Sequence, residues 1–206
     1  AGKTTLFLLL AGILLPQSGS IQMLDKAAGD PSLRGKIGLV FQETDNQLFS
    51  PRVRDDVAFG PINLGCSPSE CSERVDQALD AVKLSNFHDR VGHHLSGGEK
   101  RKVAIAAVLS MKPEVFLLDE PSSDLDPKAR HDLIKLLRSI PQSKIVASHD
   151  FELLLEMCDR VALLNDGKIQ AVGKPIDILS DEKLLNANRL VVPAGIKAIK
   201  ELQDRG

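Results

Sequence analysis

Two adjacent carboxylates follow a short apolar run near the middle of the chain. Asp119 and Glu120 come directly after residues 115–118 (Val-Phe-Leu-Leu), and Pro121 follows them. A run of this length and character is typical of a buried strand, which would deliver both acids to the edge of a sheet. There an aspartate can hold Mg²⁺, directly or through water, and the neighbouring glutamate can polarise an attacking water. The apolar run and Pro121 argue against the alternative, an acid pair that merely faces solvent.

The segment Leu95-Ser96-Gly97-Gly98-Glu99 stands about twenty residues before this acid pair. Ser96 can cap a helix that starts at Gly97, and the unpaired N–H groups of such a helix end carry a partial positive charge that suits a γ-phosphate. Taken alone, the triplet Ser-Gly-Gly fits a plain helix cap better. Its spacing to Asp119 and Glu120 favours a phosphate clamp, so the two segments together predict a nucleotide hydrolase.

The chain starts with Ala1-Gly2-Lys3-Thr4-Thr5, which matches the second half of the phosphate-loop pattern G-x-x-x-x-G-K-[ST]. In that pattern glycine lets backbone N–H groups approach phosphate oxygens, lysine neutralises charge on the β- and γ-phosphates, and the threonine hydroxyl binds Mg²⁺. A surface Gly-Lys-Thr is common by chance, so this half-pattern is weak on its own. We expect its first glycine and the strand that feeds it to precede Ala1, so that the chain lacks its true N-terminus.

Two further polar residues follow predicted strands. Gln42 comes directly after the apolar segment 36–41, and its neutral amide can be a Mg²⁺ ligand that moves when the γ-phosphate leaves. His149 follows the predicted strand 144–147 and could contact a γ-phosphate and hold the attacking water or Glu120 in place. A glutamine at a strand end is unremarkable by itself, and a partly exposed strand-end histidine without a function is equally favoured.

The predicted strands and helices alternate along the chain, and they would position these side chains. Strand signals cover residues 20–24, 36–41, 115–119, 144–147, 160–164 and 168–172. Helix signals cover residues 4–14, 67–82, 97–109, 126–138 and 150–157, and residues 51–110 are mainly helical. The pattern predicts an α/β fold with a mostly parallel sheet in a core of residues 1–50 and 111–174, a helical insertion at residues 51–110 and a helical tail at residues 175–206.

Composition bounds the function classes. The chain has 206 residues, of which 43% are hydrophobic, enough for a sizeable core. The formal net charge of -2 does not favour binding to nucleic acid. With seven Phe and no Trp or Tyr, the chain also has few aromatic side chains on which the bases of a single strand could stack. The cysteines, Cys66, Cys71 and Cys158, form no C-x-x-C pair and fit free thiols in a reducing cytosol.

The apolar residues 6–15 would fit a signal peptide, but a buried helix that starts from a phosphate loop explains them together with the preceding Gly-Lys-Thr.

Taken in order, these motifs resemble those of the ATP-binding-cassette (ABC) ATPases, whose core is a P-loop NTPase fold with an inserted helical subdomain. The resemblance covers almost the whole chain from Gly2 onward. It comprises the end of the Walker A loop, the Q-loop glutamine, the signature, the end of Walker B, the D-loop and the switch histidine. In this sequence these are Gly2-Lys3-Thr4-Thr5, Gln42, Leu95-Ser96-Gly97-Gly98-Glu99, Leu118-Asp119-Glu120, Ser123-Asp124-Leu125-Asp126 and His149.

The resemblance implies an ATPase with ATP and Mg²⁺ as cofactors, and it divides the roles. Glu120, His149 and Gln42 would be catalytic. Thr4, Gln42 and Asp119 would hold Mg²⁺. The nucleotide would be bound by Gly2, Lys3, Thr4, Thr5, Ser96, Gly97, Gly98, Glu99 and Asp126. Glu99 stands where the signature often has glutamine, a variant that similar sequences tolerate.

Residues 41–49 and 53–61 resemble more narrowly the ATPase subunits of cobalt/nickel importers and of energy-coupling-factor (ECF) vitamin importers. The resemblance implies a head-to-tail dimer, with an identical or a paralogous partner, in which two ATP molecules lie between the subunits. Lys3 and Asp119 of one subunit would face Ser96 and Gly98 of the other. It also implies that the segment after Gln42 docks a coupling helix of a transmembrane subunit, so that the protein is peripheral at the cytoplasmic face of the cell membrane.

Two alternatives to an importer ATPase stay open. One is a soluble ABC ATPase that acts on DNA or ribosomes, although the short stretch between Walker A and the signature leaves no room for the coiled coil of DNA-repair relatives, and no nucleic acid partner is expected. The other is a truncated cassette that binds partners without catalysis. Within the importer class, the transported substrate, whether cobalt, nickel or a vitamin, stays open as well.

Overall fold

A computed structural model describes residues 2–197. They form two compact units, one of residues 4–147 and one of residues 2–3 and 148–197. The end of the predicted helical tail, residues 198–206, lies outside the described residues. In chain order the helices and strands are α1 (Lys3–Leu10), β1 (Gln22–Met23), β2 (Lys26–Ala27), β3 (Ile37–Val40), α2 (Val53–Asn63), α3 (Pro68–Ala81), α4 (Gly97–Leu109), β4 (Val115–Asp119), α5 (Pro127–Ser139), β5 (Ser143–Ala147), α6 (Phe151–Met157), β6 (Val161–Asn165), β7 (Lys168–Gly173), α7 (Pro175–Ser180) and α8 (Glu182–Ala187).

A parallel sheet with the order β3-β4-β5 forms the centre of residues 4–147. All residues of β4 are buried, as expected for a parallel strand covered on both faces. The register pairs Val40 of β3 with Leu118 of β4, and Asp119 with Ala147 of β5. Because the strands are parallel, their carboxyl ends lie at one edge of the sheet, and the predicted acids lie at that edge.

Helix α1 covers part of this sheet through Phe7, which packs with Val115, Leu117 and Ala147. The sequence predicts a helix to residue 14, and this prediction is wrong because α1 ends at Leu10. The N–H groups of Ile13 and Leu14 both donate hydrogen bonds to the carbonyl of Leu8, and Gly12 has a φ of 72°. A Cβ at Gly12 would lie 2.5 Å from the backbone of Gly29, so the close approach of a later segment stops the helix.

The predicted strand at residues 20–24 is shorter than expected, and it has a partner that the sequence does not reveal. Strand β1 pairs antiparallel with β2. Leu24 and Asp25 connect them with φ angles of 49° and 60°, the conformation of a tight two-residue hairpin.

Residues 51–110 are mainly helical, as predicted. Helices α2, α3 and α4 pack on one another around side chains that are fully buried, among them Val57, Leu79 and Val103. Ser67 caps α3 by accepting a hydrogen bond from the N–H of Glu70, which is the capping that the sequence predicts. The hydroxyl of Ser110, after the end of α4, donates to the carbonyl of Val57 at 2.7 Å and ties the helices together.

The second unit consists mainly of the β6–β7 hairpin and helices α6, α7 and α8. Asp166 and Gly167 form the predicted hairpin turn, with φ angles of 46° and 73°. The predicted helical tail is broken at Asp181, whose carboxylate accepts from the N–H of Leu184 and starts a new helix. Within residues 2–197, no helix has both the length and the apolar character needed to cross a bilayer.

Candidate active site

The hydroxyl of Thr4 meets the carboxylate of Asp119 at the carboxyl edge of the sheet. Thr4 Oγ1 donates to Asp119 Oδ2 at 2.6 Å, across 115 residues of sequence. Asp119 is only 2% exposed, and its other oxygen, Oδ1, is buried and accepts no hydrogen bond from the described residues. A buried carboxylate oxygen without a hydrogen-bond donor raises the free energy of the folded chain, and a cation bound beside Asp119 would remove this cost.

The donor set fits Mg²⁺ better than a softer metal. A carboxylate and a hydroxyl are hard oxygen ligands, and Mg²⁺ typically takes one or two protein carboxylates, with waters and substrate phosphates completing the octahedron. No group of three or more His, Cys, Asp or Glu side chains within residues 2–197 could hold a metal ion. The carboxylate of Asp119 and the hydroxyl of Thr4 fit a metal whose remaining ligands are waters and substrate phosphates.

Glu120 sits at the same edge on a strained backbone. It is 5% exposed and has a φ of 43°, in the left-handed region that non-glycine residues rarely adopt. Its N–H donates to the carbonyl of Ala147 at 2.8 Å, and its carbonyl accepts from the N–H of Ser123 at 3.1 Å. Such strain costs about 1–3 kcal/mol and collects at functional sites. The sheet thus carries the hydrogen bonding of β4 one residue beyond Asp119 and fixes the backbone of the second acid.

Gln42 follows the end of the neighbouring strand, β3, at the same edge. It lies two residues after Val40, as Glu120 lies two residues after Leu118, and these two strand residues are partners in the sheet. The side chain of Gln42 is exposed, and its backbone carbonyl accepts a hydrogen bond from Arg101. The structure therefore brings Thr4 and Asp119 into contact and places Gln42 and Glu120 just beyond the ends of two adjacent strands.

Gly2, Lys3 and His149 belong to the other compact unit. Gly2 has a φ of 89°, which suits a glycine before a helix, and α1 starts at Lys3 as a phosphate loop would require. His149 is exposed and directly precedes Asp150, whose carboxylate caps α6 through the N–H of Leu153 at 3.1 Å. The roles of these residues toward a nucleotide stay predictions. Thr5 lies in the first turn of α1 and is exposed.

Ser96 and Glu99 form a capping box at the start of α4. The N–H and the hydroxyl of Ser96 both donate to Glu99 Oε2 at 2.8 Å, and the N–H of Glu99 donates back to the Ser96 hydroxyl at 3.3 Å. These bonds to the carboxylate hold the pKa of Glu99 below its ordinary value. The box fixes the start of the helix and leaves other first-turn N–H groups for an anion, at the positive end of the helix dipole.

Asp126 lies beside this helix start, in a surface cleft of about 180 Å³. Its carboxylate caps α5 by accepting from the N–H groups of Lys128 and Ala129, both at 2.9 Å. The lining of the cleft includes Ser96 and Gly98, and a Cβ at Gly98 would come within 3.2 Å of the Cβ of Ala129. The structure therefore brings together three of the predicted nucleotide-binding residues, and α5 packs so closely that Gly98 has little room for a side chain.

Two residues that the sequence did not single out also shape the site. Arg101 on α4 is 4% exposed and donates to the carbonyls of Phe41 and Gln42. Burial lowers its pKa, and the charge of Asp124 opposes that shift. Gln47 joins the same segment to α4, accepting from the N–H of Phe41 and donating to the carbonyl of Ala104. The only hint in the sequence is a charged residue on the otherwise apolar buried face of α4.

An exposed apolar patch follows the Gln42 segment. Phe49, Phe59 and Ile62 are 64%, 50% and 60% exposed, and the two phenylalanine rings meet edge to face at 5.0 Å. Buried Asp56 fixes this loop because its Oδ1 accepts from the N–H groups of Phe49 and Ser50. Ile62 also lines a cleft of about 500 Å³ between α2 and α3. Clustered apolar side chains held in the open are typical of a protein-binding surface.

Comparison with known proteins gives a consistent family. A family model described as ABC transporter matches residues 1–123. An ABC transporter ATP-binding protein of Geobacter sulfurreducens is 44% identical over 200 residues, which cover 96% of this chain and 80% of the relative. The energy-coupling factor transporter ATP-binding protein EcfA of Methanothermobacter thermautotrophicus is 43% identical over 215 residues, covering 100% of this chain and 69% of the relative.

Solved structures show the same likeness. CbiO1 from Clostridium perfringens, described as part of the ABC transporter complex CbiONQ, is 36% identical and superposes with a TM-score of 0.79, covering 97% of this chain and 83% of that one. The ATP-binding cassette MJ0796, in a dimeric post-hydrolysis state bound to ADP and phosphate, is 25% identical with a TM-score of 0.73, covering 84% of this chain and 81% of that one. The predicted fold class and the resemblance to ABC ATPases are both confirmed.

Proposed function

Since this chain belongs to the ABC transporter family and is its ATP-binding ATPase component, we propose that it powers an ECF-type importer of a metal ion (cobalt or nickel) or a vitamin. The observation that carries the ATPase part of this proposal is the Thr4–Asp119 pair, in which the buried Oδ1 of Asp119 has no donor among the described residues, together with Glu120 on strained backbone. The names of two relatives support a transporter ATPase of this kind: EcfA is an energy-coupling factor transporter ATP-binding protein, and CbiO1 is part of the ABC transporter complex CbiONQ.

In the proposed site Thr4, Asp119 and Gln42 would hold Mg²⁺, which would supply charge neutralisation on the phosphates of ATP. Glu120 orients and polarises the attacking water, and His149 contacts the γ-phosphate and holds the water or Glu120 in place. Phosphoryl transfer needs mainly positioning and electrostatic stabilisation, so residues fixed on strand ends suit it. The backbone bonds of Glu120 to Ala147 and Ser123 support this role because they remove freedom from the base before ATP arrives.

We place the nucleotide between two ATPase subunits, identical or paralogous. One subunit supplies Gly2, Lys3, Thr4 and Thr5, and the other supplies Ser96, Gly97, Gly98, Glu99 and Asp126. The signature residues support this arrangement because they lie around an open cleft and at an exposed helix start. Dimeric MJ0796 with ADP and phosphate is a precedent in a relative.

The membrane partner would bind the patch of Phe49, Phe59 and Ile62 through a coupling helix, which makes the protein peripheral at the cytoplasmic face of the membrane. An apolar helix face is the partner that such a surface selects, since burying these side chains provides most of the driving force. In this account residues 1–50 and 111–174 form the ATP-binding core, and residues 51–110 form the helical subdomain that carries the signature and two of the three patch residues, Phe59 and Ile62. The chain from residue 175 onward is the C-terminal tail, which is helical in α7 and α8.

The deciding variant is Glu120→Gln. It keeps the side-chain size but removes the proposed base, so ATP should bind and close the dimer without being hydrolysed. We expect ATP turnover to fall at least about 100-fold and the variant to elute as a dimer with Mg²⁺-ATP. Glu114→Gln is the matched control, because Glu114 is an exposed acid paired with Lys36 just before the same strand. Undiminished turnover in Glu120→Gln would remove Glu120 from the mechanism.

The transport claim needs a separate assay. The chain should co-purify with a transmembrane protein when membranes are solubilised in detergent, and cells that lack it should lose uptake of labelled cobalt, nickel or a vitamin. Changing Phe49 and Phe59 together to serine should abolish co-purification while ATP binding persists. Co-purification with ribosomes instead of membranes would contradict the importer proposal and favour a soluble ABC ATPase.

A further inference from the structure

The buried guanidinium of Arg101 connects two segments to which the proposed mechanism gives separate roles. Arg101 lies on α4, whose first residues carry the signature motif. Its Nη1 donates to the carbonyl of Phe41 at 2.8 Å, and its Nη2 donates to the carbonyl of Gln42 at 2.7 Å. These consecutive carbonyls directly follow β3. One planar group therefore fixes the backbone at the point where Gln42 leaves the sheet.

Two weaker bridges run in parallel with Arg101. The side chain of Gln47 accepts from the N–H of Phe41 and donates to the carbonyl of Ala104, both at 3.3 Å. Lys100 Nζ lies 2.6 Å from Asp45 Oδ1, but the Asp45 side chain is 78% exposed, so water competes for the pair. Hydrogen bonds from a charged donor are about twice as strong as neutral ones. Arg101, buried and doubly bonded, should therefore carry most of the connection.

Packing alone does not explain an arginine at this position. Its Nε is buried and donates to none of the described residues, and burial lowers its pKa. A buried cation with an unpaired N–H is expensive, and an apolar side chain of similar volume would fill the space at lower cost. An arginine therefore costs the fold more here than an apolar side chain would, and what it adds is its pair of bonds to the carbonyls of Phe41 and Gln42.

We propose that Arg101 is a positioning residue for ATP hydrolysis, one that makes the position of the Gln42 amide follow the position of the signature helix α4. The inference deepens the proposed function and rests on the role of Gln42 as a Mg²⁺ ligand. Arg101 needs no contact with the nucleotide, because it holds the backbone from which the Gln42 side chain extends. A displacement of α4 by a partner subunit therefore displaces Gln42 as well.

The connection itself is tested on the full chain without nucleotide, by hydrogen exchange of backbone amides. In Arg101→Lys the charge remains, but one ammonium nitrogen replaces the two guanidinium nitrogens of the planar fork, so the two carbonyls lose the fixed pair of donors that Arg101 provides. We expect the amides of residues 41–47 to exchange about tenfold faster or more, while those of α2 keep the wild-type rate. Lys100→Ala, which removes only the exposed pair, should change exchange at residues 41–47 less than twofold or so. Wild-type exchange of residues 41–47 in Arg101→Lys overturns the proposal.

The functional consequence is tested by the Mg²⁺ dependence of ATP hydrolysis. Arg101→Lys should raise the Mg²⁺ concentration for half-maximal rate by about fivefold or more and leave the KM for ATP at saturating Mg²⁺ within about twofold. The double variant Gln42→Ala/Arg101→Lys should be no more impaired than Gln42→Ala, because both changes act through one amide. Additive losses, or an unchanged Mg²⁺ requirement in Arg101→Lys, overturn the inference.

Failure of the underlying function is visible separately in the same experiment. If Gln42→Ala keeps the wild-type Mg²⁺ requirement, Gln42 is not a metal ligand, and the inference about Arg101 falls with that assignment. If the wild type shows no Mg²⁺-dependent hydrolysis, the proposed function itself fails. The third outcome concerns Arg101 alone. If the wild type hydrolyses ATP and Gln42→Ala is impaired, but the losses in the double variant are additive, then only the inference about Arg101 is overturned.

Discussion

The sheet edge at Asp119 and the helix start at Ser96 are both proposed to meet ATP, yet their energetics are opposite. At the sheet edge, one buried oxygen of Asp119 has no donor within residues 2–197, and Glu120 occupies left-handed backbone. At the helix start, Ser96 and Glu99 satisfy each other through three hydrogen bonds. The first region is therefore destabilised until something binds, and the second contributes to stability by itself.

This contrast follows from what each region must do. A metal site needs ligand oxygens whose hydrogen-bonding capacity is not already used, and an unsatisfied buried acceptor costs about 1–3 kcal/mol. A phosphate clamp needs only a rigid helix end, which a cap stabilises by about 1 kcal/mol. Variants at the sheet edge should accordingly cost activity without costing stability, and variants at the helix start should cost stability first.

Asp119→Asn should show the largest effect. The amide keeps the shape of the side chain but lacks the charge that a Mg²⁺ ligand needs, so we expect ATP hydrolysis to fall at least about 100-fold. Stability without nucleotide should stay within about 1 kcal/mol of the wild type, because the lost carboxylate was poorly satisfied. Activity is measured by phosphate release, and stability by urea unfolding. Loss of more than about 3 kcal/mol of stability would show that Asp119 is mainly structural.

Because the backbone of Glu120 is strained, we expect a glycine variant at this position to be more stable than an alanine variant, the reverse of the usual order. Both Glu120→Gly and Glu120→Ala remove the side chain, but only glycine adopts a φ of 43° freely. The glycine variant should therefore be more stable than the alanine variant by about 1 kcal/mol in chemical denaturation. At Glu114, where φ is not positive, the same pair should show the opposite order. A Glu120→Ala variant as stable as the glycine variant would mean that the backbone there is unstrained.

Ser96→Ala should lower the free energy of unfolding by about 1 kcal/mol, because the helix loses its cap. The same change should weaken ATP-driven dimerisation only modestly, since the first-turn N–H groups remain. Thermal unfolding without nucleotide and sedimentation with Mg²⁺-ATP would measure the two effects. An unchanged unfolding temperature would show that the capping box does not hold the start of α4.

Glu99→Gln should give the smallest effect, and one that depends on pH. The pKa of Glu99 is lower in the folded chain than its ordinary value of 4.5, so its charge stabilises the fold above that pH, and the contribution disappears as pH falls through the lower folded value. Glutamine can keep the box but not the charge at the helix start, a loss of about 0.3–1 kcal/mol at neutral pH. Unfolding of both proteins from pH 7 to pH 3 should show the difference shrinking with acidity; a constant difference would contradict this.

The parts of the fold that the sequence predicts best are those with strong local signals. Strand β4 and helix α4 have the bounds expected from their apolar residues and from the Ser96 cap. The early end of α1 could not be predicted because it depends on Gly29 approaching Gly12 from a separate segment. Strand β2 was missed because it consists of only two residues, Lys26 and Ala27, which are too few to give a periodic signal.

The site shows the same division. Thr4 and Asp119 were expected to share a metal, and the structure puts their side chains in contact. Arg101 was not expected, because a charged run on a helix is normally a solvated face. Its burial depends on the carbonyls of Phe41 and Gln42, which lie 60 and 59 residues away in sequence, and such long-range partners leave no local pattern.

The most direct test of the account is the Mg²⁺ dependence of ATP hydrolysis in Thr4→Ser and Thr4→Val, measured beside the wild type. Serine keeps the hydroxyl that meets Asp119, and valine keeps the shape of threonine without it. We predict that Thr4→Ser stays within about twofold of the wild-type Mg²⁺ requirement, whereas Thr4→Val needs at least about tenfold more Mg²⁺ or loses hydrolysis. A Thr4→Val protein with the wild-type rate and Mg²⁺ requirement would contradict a metal site at Thr4 and Asp119.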